Sequence, residues 1–432
     1  MLSGVVVAVV VLLAPWAPRG AELVDYEAAP VVGAWSLEDP WVGVDLGGAT
    51  VVVAGDTIAQ DAALVVWSVD AEDVPAEDVA AADAPIAPVV ARLDTRTGET
   101  AWSLELPSGT VTAATAAVAA DGATAWLATV DTRGRPALLL VDLADGAIRG
   151  RAAGLEFVAA PGALDGDAIA RDGATVGRYS REDLAVVWSA ADAGEVLSLG
   201  PTEIAVGDTV LALEDGAPRA WSIDAGTISD VHGALLLVRA LGPQRVVERL
   251  DPASGAAVWS IELSPGDGLI PVDGADVLIR VDAEAGELSA VDLRSGARRW
   301  VVDGTVAPDG GASAGSGRAG LVLVPIAATG DVLVAVELAT GQRRFELGVG
   351  GTGAAARPVI GFGATSLLLG GDALESVDLE DGAARWTVSS PDPAAYDFEV
   401  WGGRIVAVAE RVPRDADGGA AASILGVAPA RR

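Results

Sequence analysis

The sequence predicts an all-β protein, an eight-bladed β-propeller of four-stranded antiparallel blades that is closed by pairing of its N- and C-terminal strands. Three observations predict this fold. An eleven-residue pattern returns along the chain, and its last four clear copies begin 41 to 45 residues apart. The segments between copies are short apolar runs rich in β-branched residues, too short for helices. Trp supplies 12 of the 19 aromatic residues, which indicates a recurring structural position.

The repeat places an acidic residue, a glycine and an aromatic ring four residues apart. The first copy, "RLDTRTGETAW", has Asp94, Gly98 and Trp102 at these positions. Four further copies contain Asp251, Gly255 and Trp259; Asp292, Gly296 and Trp300; Glu337, Gly341 and Phe345; and Asp378, Gly382 and Trp386. Three weaker copies have Gly150 in the Trp position, keep only Trp188, or are shortened and end at Trp221.

The spacing has a physical reason. A strand ends near the Asp, whose side chain can accept hydrogen bonds from the amides of the following turn. The Gly supplies the positive φ that the hairpin needs. Side chains of the next strand alternate, so that the Trp lies on one chosen face and packs against the neighbouring blade. The repeated rings are therefore expected to form a girdle between adjacent sheets.

The eight visible copies do not by themselves fix the number of blades. Strands after Trp386 lack a closing Trp, and the strand around Trp35 has no partner before it. These ends are expected to meet in one composite blade. If every internal copy were a whole blade the ring would have nine, but we expect that one degenerate copy between 150 and 221 is not independent, which leaves eight.

The pattern A-x-D-x-x-x-G-x-x-x-W resembles the tryptophan-docking repeat of PQQ-like, or quinoprotein-type, β-propellers over roughly residues 31–428. That family includes the outer-membrane assembly lipoprotein of the BAM complex and the quinoprotein alcohol dehydrogenases, all eight-bladed. The resemblance implies a fold but no activity, because the scaffold hosts enzymes and binding proteins. The dehydrogenases are larger and carry a vicinal Cys pair, which this chain lacks, so the resemblance is closer to the non-enzymatic branch. We expect no PQQ and no other cofactor.

Composition narrows the chemistry further. The net charge of −33 opposes binding to nucleic acid. With no Cys and one His, the chain has no disulfide, thiolate metal site or Cys nucleophile, and only carboxylates remain as metal ligands. Calcium would be the candidate, but no EF-hand pattern occurs. Residues 391–393 and the acidic insert described below could bind it only weakly, so no metal residue is predicted.

Two short motifs imitate catalytic signatures. The glycines Gly348, Gly350 and Gly353 match a dinucleotide fingerprint, yet a strand with Pro358 follows where a helix is required. Ser313 lies in a G-x-S-x-G match inside a Gly- and Ser-rich segment, with His232 as the one conventional base in the chain. We predict that the three glycines lie in an inter-blade loop, that Ser313 lies in a linker and that His232 lies at the start of a strand. No catalytic residue is predicted.

The chain is expected to contain three parts: an apolar export signal or membrane anchor at 1–20, a linker at 21–30, and one propeller domain at 31–428. Val5 to Leu13 form an unbroken apolar run, which is near the length of a signal-peptide core and short for a spanning helix. No basic residue precedes it and no clean cleavage site follows it, which favours an uncleaved or late-cleaved anchor. The alternative is a buried N-terminal strand.

In each of two neighbouring blades, a long connection is expected to join the second strand to the third, at residues 70–85 in one blade and 411–421 in the other. The first is acidic, with Asp70, Glu72, Asp73, Glu77 and Asp78 as its partner-facing candidates. They could be solvated loops or an edge that binds a partner or a cation. We expect a monomeric, exported, non-catalytic scaffold that binds an envelope protein. The alternatives are a quinoprotein-type or carbohydrate-processing enzyme with carboxylates in the central channel, and the sensor module of a signalling system.

Overall fold

A computed structural model gives the architecture. It describes residues 23–26, 28–38, 40, 51–69, 87–119, 122–160, 164, 166–191, 196–198, 202–207, 209–222, 226–272, 274–282, 284–303, 314–317, 319–326, 332–348, 359–370, 373–389, 396–409 and 424–429. Within these residues the regular structure is almost entirely β-strand, and no helix there is long and apolar enough to cross a membrane.

The described strands form nine antiparallel sheets of four, which we number as blades 1 to 9. The first strand, β1 (Pro30–Leu37), belongs to blade 9. Blades 1 to 4 are β2 (Val51–Ala59), β3 (Ala62–Val69), β4 (Val89–Asp94), β5 (Thr100–Glu105); β6 (Thr110–Val118), β7 (Thr124–Asp131), β8 (Pro136–Asp142), β9 (Ile148–Ala153); β10 (Leu155–Ala159), β11 (Ala168–Asp172), β12 (Thr175–Tyr179), β13 (Val186–Ala191); and β14 (Val196–Ser198), β15 (Glu203–Val206), β16 (Thr209–Ala212), β17 (Pro218–Ser222).

Blades 5 to 8 follow in the same order along the chain. They are β18 (Thr227–Val231), β19 (Ala234–Leu241), β20 (Gln244–Leu250), β21 (Ala257–Leu263); β22 (Gly268–Pro271), β23 (Val277–Asp282), β24 (Glu287–Asp292), β25 (Arg298–Asp303); β26 (Ala314–Ser316), β27 (Leu321–Ile326), β28 (Val332–Glu337), β29 (Arg343–Gly348); and β30 (Val359–Phe362), β31 (Ser366–Leu369), β32 (Ala373–Asp378), β33 (Ala384–Ser389). Blade 9 is β34 (Tyr396–Trp401), β35 (Arg404–Ala409), β36 (Ile424–Pro429) and β1.

The predicted count of eight blades is wrong, because the ring has nine. The error concerns the degenerate copies between 150 and 221, which we expected to contain one dependent unit. Each of them instead ends a complete four-stranded sheet, in blades 3 and 4. Strands of only three to six residues suffice in these blades, since cross-strand pairing and apolar faces survive the loss of the motif residues. A shortened or incomplete motif therefore does not mean a missing blade.

The ends of the chain close the ring, as predicted. Strand β1 pairs antiparallel with β36, with Pro30 opposite Pro429 and Leu37 opposite Ile424. The N-terminal strand is thus the outermost strand of blade 9, and the last three strands supply the rest. Neighbouring first strands contact each other around the axis, including β34 against β2 across the junction where the ring closes.

Antiparallel order gives the disc two distinct faces. We call the side with the turns between strands one and two and between strands three and four the motif-turn face. The other side, which we call the insert face, has the connections between strands two and three and between blades. The connections at 70–88 and 410–423 join strands two and three of blades 1 and 9 and therefore leave from the insert face. The long connections lie outside the described residues.

The apolar core is divided among the junctions between blades. Each of the nine clusters of buried side chains is shared by two neighbouring sheets, and together they cover all nine junctions. The middle strands contain continuous buried runs, such as Ala63 to Trp67 in β3, because both of their faces are covered. The fourth strands alternate between exposed and half-buried positions, as expected for the outer edge of each blade.

Candidate functional site

The recurring turn between strands three and four has one geometry around the ring. In blade 1 the Gly98 amide donates to the Asp94 carbonyl at 2.8 Å, and the Asp94 amide donates to the Glu99 carbonyl at 2.9 Å. The Asp94 carboxylate accepts from the amides of Arg96 and Thr97 at 2.8 and 3.0 Å. The motif glycines have φ between 68° and 77°, the left-handed region that the hairpin requires. The carboxylates thus satisfy turn amides.

Aromatic rings of one blade pack on the glycine of the next motif turn. A Cβ at Gly146 would lie 2.7 Å from the Trp102 ring, and one at Gly341 would lie 2.8 Å from the Trp300 ring. The pairs are Trp35 with Gly98, Trp102 with Gly146, Trp188 with Gly216, Trp221 with Gly255, Trp259 with Gly296, Trp300 with Gly341, and Phe345 with Gly382. Glycine is therefore needed at each of these turns for two reasons: it adopts the positive φ, and it leaves space for the ring above it.

Each docked indole also joins the two blades by a hydrogen bond. Trp102 Nε1 donates to the Leu143 carbonyl at 3.0 Å, and Trp300 Nε1 donates to the Leu338 carbonyl at 2.8 Å. Trp188, Trp221 and Trp259 make the equivalent bonds to Leu213, Pro252 and Leu293. Trp35 is the exception, since its Nε1 has no acceptor among the described residues. These bonds connect successive motif turns on the motif-turn face.

At the junction between blades 2 and 3 the residue types of the two motif positions are exchanged: the glycine stands where the ring is usual, and a large side chain stands where the glycine is usual. Gly150 occupies the ring position of blade 2, and Leu184 occupies the glycine position of blade 3 with a φ of 59°. A Cβ at Gly150 would lie 2.5 Å from Leu184 Cδ1, so the leucine fills the space of the missing ring. Trp126 of β7 supplies the missing hydrogen bond, because its buried Nε1 donates to the Gly166 carbonyl of blade 3 at 2.7 Å.

At the seam between blades 8 and 9, residues 23–26 replace a motif turn. Trp386 Nε1 donates to the Tyr26 carbonyl at 2.8 Å, as the other indoles do to motif turns. The rings of Tyr26 and Trp386 meet edge to face at 6.3 Å. The Tyr26 hydroxyl donates to the Val427 carbonyl at 3.0 Å, and burial raises the pKa of this hydroxyl. A short N-terminal segment therefore completes the circle where the chain is broken.

Asp25 and Arg404 secure this segment on either side. The Asp25 carboxylate accepts from the Thr365 amide and hydroxyl at 3.0 and 3.1 Å and from the Ser366 hydroxyl. Arg404 Nε donates to Asp61 at 2.7 Å, which lowers the pKa of Asp61 and joins blade 9 to blade 1. These polar contacts lie in the turns between strands one and two, on the motif-turn face.

A second repeated feature, which we missed in the sequence, is a salt bridge between an arginine and the motif acid of the same blade. In four blades an Arg seven residues after the motif acid returns to its carboxylate: Arg149 to Asp142, Arg299 to Asp292, Arg344 to Glu337 and Arg385 to Asp378. The Arg–Trp dipeptides at 299–300 and 385–386 were a visible signal for it. The hydrogen bonds from the Arg299 side chain and from Ser295 in the turn hold the pKa of Asp292 well below its usual range.

A second arginine position occurs in blades 1, 3 and 5, which lack the one just described. There an Arg lies two residues before the motif position and opposite the Trp on the neighbouring strand. Arg92 donates to the Leu143 carbonyl at 2.8 Å, and Arg178 donates to the Glu214 carbonyl at 3.0 Å. Arginine therefore stabilises either the turn within a blade or the junction to the next one.

Two clefts between blades lie among the residues that the structure describes. One of about 380 Å³ separates blades 2 and 3 near the insert face and is lined mainly by small or apolar residues such as Ala116, Ala128 and Phe157. One of about 300 Å³ lies between blades 7 and 8, where Arg385 pairs with Asp378. Neither lining contains a His or a Cys.

Of the residues that looked catalytic, the structure describes His232 and Gly348, and Gly348 ends strand β29. His232 lies in the β18–β19 turn with a φ of 52°, and its Nε2 contacts the Val272 carbonyl at 2.8 Å. Ser313, Gly350, Gly353, residues 391–393 and the acidic residues Asp70, Glu72, Asp73, Glu77 and Asp78 lie outside the described residues. Burial raises the pKa of Asp56 in β2, but no group of three potential metal ligands occurs among the described residues.

A family model matches two long stretches of this chain. The family model described as outer membrane protein assembly factor BamB matches residues 87–230 and 284–423, well over half of the chain. A comparison with curated proteins finds no match. BamB from Moraxella catarrhalis is 15% identical, with 80% of this chain and 89% of that chain covered and a TM-score of 0.37.

Two enzymes are also among the similar solved structures. The dihydro-haem d1 dehydrogenase NirN is 16% identical, with 70% of this chain and 71% of that chain covered and a TM-score of 0.42. A europium-containing methanol dehydrogenase is 12% identical, with 90% and 89% covered and a TM-score of 0.39. At such identities and scores these likenesses carry no conclusion about activity.

The sheets, motif turns and docked rings define a tryptophan-docking β-propeller. Together with the family match over two long stretches, they place the chain more narrowly. It belongs to the BamB family of PQQ-like propellers, with nine blades.

Proposed function

We propose that this chain is a non-catalytic, extracytoplasmic scaffold that binds another protein in the cell envelope and is held at the membrane by its apolar N-terminal segment. The observation that carries the proposal is the family match, whose description names an assembly factor of the outer membrane. A rigid ring that presents loops from a fixed framework suits this role. The apolar run Val5 to Leu13 supports export and attachment.

The chemistry of the described residues supports a binding role. The motif carboxylates accept hydrogen bonds from turn amides, and several also pair with arginines. His232 contacts a backbone carbonyl, and Cys is absent from the sequence. These groups are used to hold the fold, which leaves no assembled set for acid–base or nucleophilic catalysis among them.

The insert face is the surface we propose for the partner. The connection at 70–88 of blade 1 and the one at 410–423 of blade 9 leave the same face of adjacent blades. Residues 70–85 contain six carboxylates and no Arg, so a partner with a basic surface would be attracted over a Debye length of about 8 Å at physiological salt. Asp70, Glu72, Asp73, Glu77 and Asp78 are the proposed contacts.

A charge-neutralised chain tests this surface. The variant Asp70→Asn/Glu72→Gln/Asp73→Asn/Glu77→Gln/Asp78→Asn should lose most crosslinking to its partner in envelope extracts prepared with the N-terminal segment intact. The matched control is Glu380→Gln/Asp381→Asn, which removes exposed carboxylates from the motif-turn face of blade 8. Equal crosslinking by the wild type and the first variant, or equal loss in both variants, would contradict the proposed surface.

Cofactor binding gives an independent check of the non-catalytic role. We expect PQQ with Ca²⁺ to leave the thermal unfolding of the full chain unchanged. A cofactor present at some hundreds of times its Kd would stabilise the fold by about 3 kcal/mol. A rise in the unfolding temperature that corresponds to this stabilisation, measured by differential scanning fluorimetry, would favour the quinoprotein-type enzyme instead.

A further inference from the structure

The N-terminal end of the described chain lies on the motif-turn face near the axis of the ring. Val24 donates its amide to the Gly403 carbonyl at 2.8 Å, in the turn between β34 and β35. Leu23 is buried beside β30 and β34, which are the first and innermost strands of blades 8 and 9. A Cβ at Gly361 of β30 would lie 3.5 Å from Leu23 Cδ2. The described chain therefore begins close to the centre of the disc.

From this point the backbone runs outward across the motif-turn face. Asp25 binds the β30–β31 turn through Thr365, and Tyr26 then lies under the Trp386 ring. Strand β1 begins at Pro30 as the outermost strand of blade 9. Residues 23–26 are thus held by both neighbouring blades, so that a pull on the N-terminal segment acts on the body of the ring.

We propose that the motif-turn face lies towards the bilayer and that the insert face points away from it. This inference rests on the membrane attachment proposed above and adds the orientation of the bound protein. The apolar stretch ends at Trp16, which leaves six residues, 17–22, before Leu23. Six residues span at most about 20 Å even when fully extended, so the disc is held close to the membrane surface.

The thickness of the disc makes the opposite orientation unfavourable. Strand β1 has eight residues and crosses from one face to the other, a distance of roughly 26 Å. A tether that leaves near the axis of the motif-turn face would have to cross the radius of that face and then this thickness. A segment of about 20 Å cannot do so without releasing Leu23 and Tyr26 from their buried positions.

Charge favours the same orientation. The six carboxylates in residues 70–85 leave from the insert face with no Arg among them, and an anionic lipid surface would repel them. The motif-turn face also has exposed carboxylates, such as Glu380 and Asp381, but there Arg149, Arg299 and Arg385 pair with motif carboxylates. In the proposed orientation the acidic insert would face away from the bilayer, where another envelope protein can reach it.

Single fluorescent labels can measure this orientation, because the chain contains no Cys. We would introduce Cys at one exposed position at a time in the full chain. Ala253→Cys and Ala383→Cys mark the motif-turn face, and Thr132→Cys and Gln244→Cys mark the insert face. The chain would be bound to vesicles of phosphatidylglycerol and phosphatidylethanolamine with acceptor-labelled headgroups. Energy transfer should be clearly stronger from the labels at 253 and 383 than from those at 132 and 244.

A flexible linker of about 20 Gly and Ser residues between Gly20 and Ala21 provides the control, because a long tether should reduce the difference between the faces. Equal or reversed transfer in the unmodified chain, with the protein floating together with the vesicles, would overturn the orientation alone. A chain that does not float with the vesicles would overturn the orientation together with the proposed attachment. Partner crosslinking through the acidic insert would be unaffected by either result.

Discussion

At the scale of single residues, each motif turn depends on a carboxylate, a glycine and a ring that occupy different volumes for different reasons. The carboxylate satisfies turn amides, the glycine supplies both φ and space, and the ring covers it from the preceding blade. In blade 5, Trp259 is 9% exposed and donates to the Leu293 carbonyl of the next turn. Replacing the carboxylate, the glycine or the ring one at a time should therefore show how much each contributes to the stability of the fold.

Removal of a docked ring should be costly. We expect Trp259→Ala or Trp300→Ala to lower the free energy of unfolding by about 3–5 kcal/mol, because a large cavity opens at the junction and a hydrogen bond is lost. Chemical denaturation of the full chain measures this. Gly150→Ala, which removes no ring, is expected to cost much less. Equal costs at all three positions would contradict the girdle of rings.

The exchanged pair at the junction of blades 2 and 3 allows a sharper test. Gly150→Trp alone should destabilise the chain by about 1–3 kcal/mol, because Leu184 occupies the space above it. The double variant Gly150→Trp/Leu184→Gly restores the usual ring and glycine and also relieves the left-handed Leu184. We expect it to recover most of the loss in a double-mutant cycle of unfolding free energies. Additive losses would show that the two residues do not replace each other.

The motif carboxylates should make stability depend on pH. The pKa of Asp292 is lowered, chiefly by its hydrogen bond from Arg299, so the folded state prefers the charged form. A lowered folded pKa gives a stabilisation that is present above the unfolded value of about 3.9 and is lost as the pH falls. The difference in unfolding free energy between wild type and Asp292→Asn should therefore shrink between pH 6 and pH 2. Urea titrations at matched pH measure it, and a constant difference would contradict this cause.

At the scale of elements, the sequence predicted strands better than it predicted blades. The alternation of apolar residues and the Asp–Gly spacing locate the third and fourth strands, because these features act within about ten residues. Blade 4 has strands of three to five residues and a motif that begins at Ala212, so local signals there are weak. Whether such a segment forms its own blade depends on the flanking sheets, and that information is not local.

The seam is the second element that the sequence could not define. Residues 21–30 read as a linker because they lack a strand pattern, yet Tyr26 is 3% exposed and accepts the Trp386 hydrogen bond. The contact joins residues 360 positions apart, and only the closed ring brings them together. Apolar side chains such as Leu23 and Tyr26 in a short segment were the available hint.

Tyr26→Ala should loosen this seam specifically. The variant loses a buried ring, its edge-to-face contact with Trp386 and the hydrogen bond to the Val427 carbonyl, with an expected cost of about 3–5 kcal/mol. Hydrogen exchange should rise most in β33, β34 and β36, whereas blades 3 to 6 keep their protection. The control Tyr26→Phe retains the ring and should lose only about 1 kcal/mol. Uniformly raised exchange would show that the segment does not act locally.

At the scale of the whole molecule, nine similar junctions share the stability of the ring. Each junction has its own apolar cluster, and seven have an aromatic ring over a motif glycine. The junction of blades 2 and 3 uses Leu184 and Trp126, and the seam uses Tyr26. The proposed partner surface follows from this plan, since residues 23–26 lie on one face and the strands that flank residues 70–88 end at the other. The insert was visible in the sequence, but its position relative to the tether required the fold.

The central claim is that all eight internal repeats form whole blades and that the two chain ends build the ninth. A crystal structure of the chain tests it most directly. We expect nine four-stranded blades around one axis, with β1 paired to β36 and Tyr26 beneath Trp386. A ring of eight blades, or residues 150–221 that contribute fewer than two complete sheets, would contradict it.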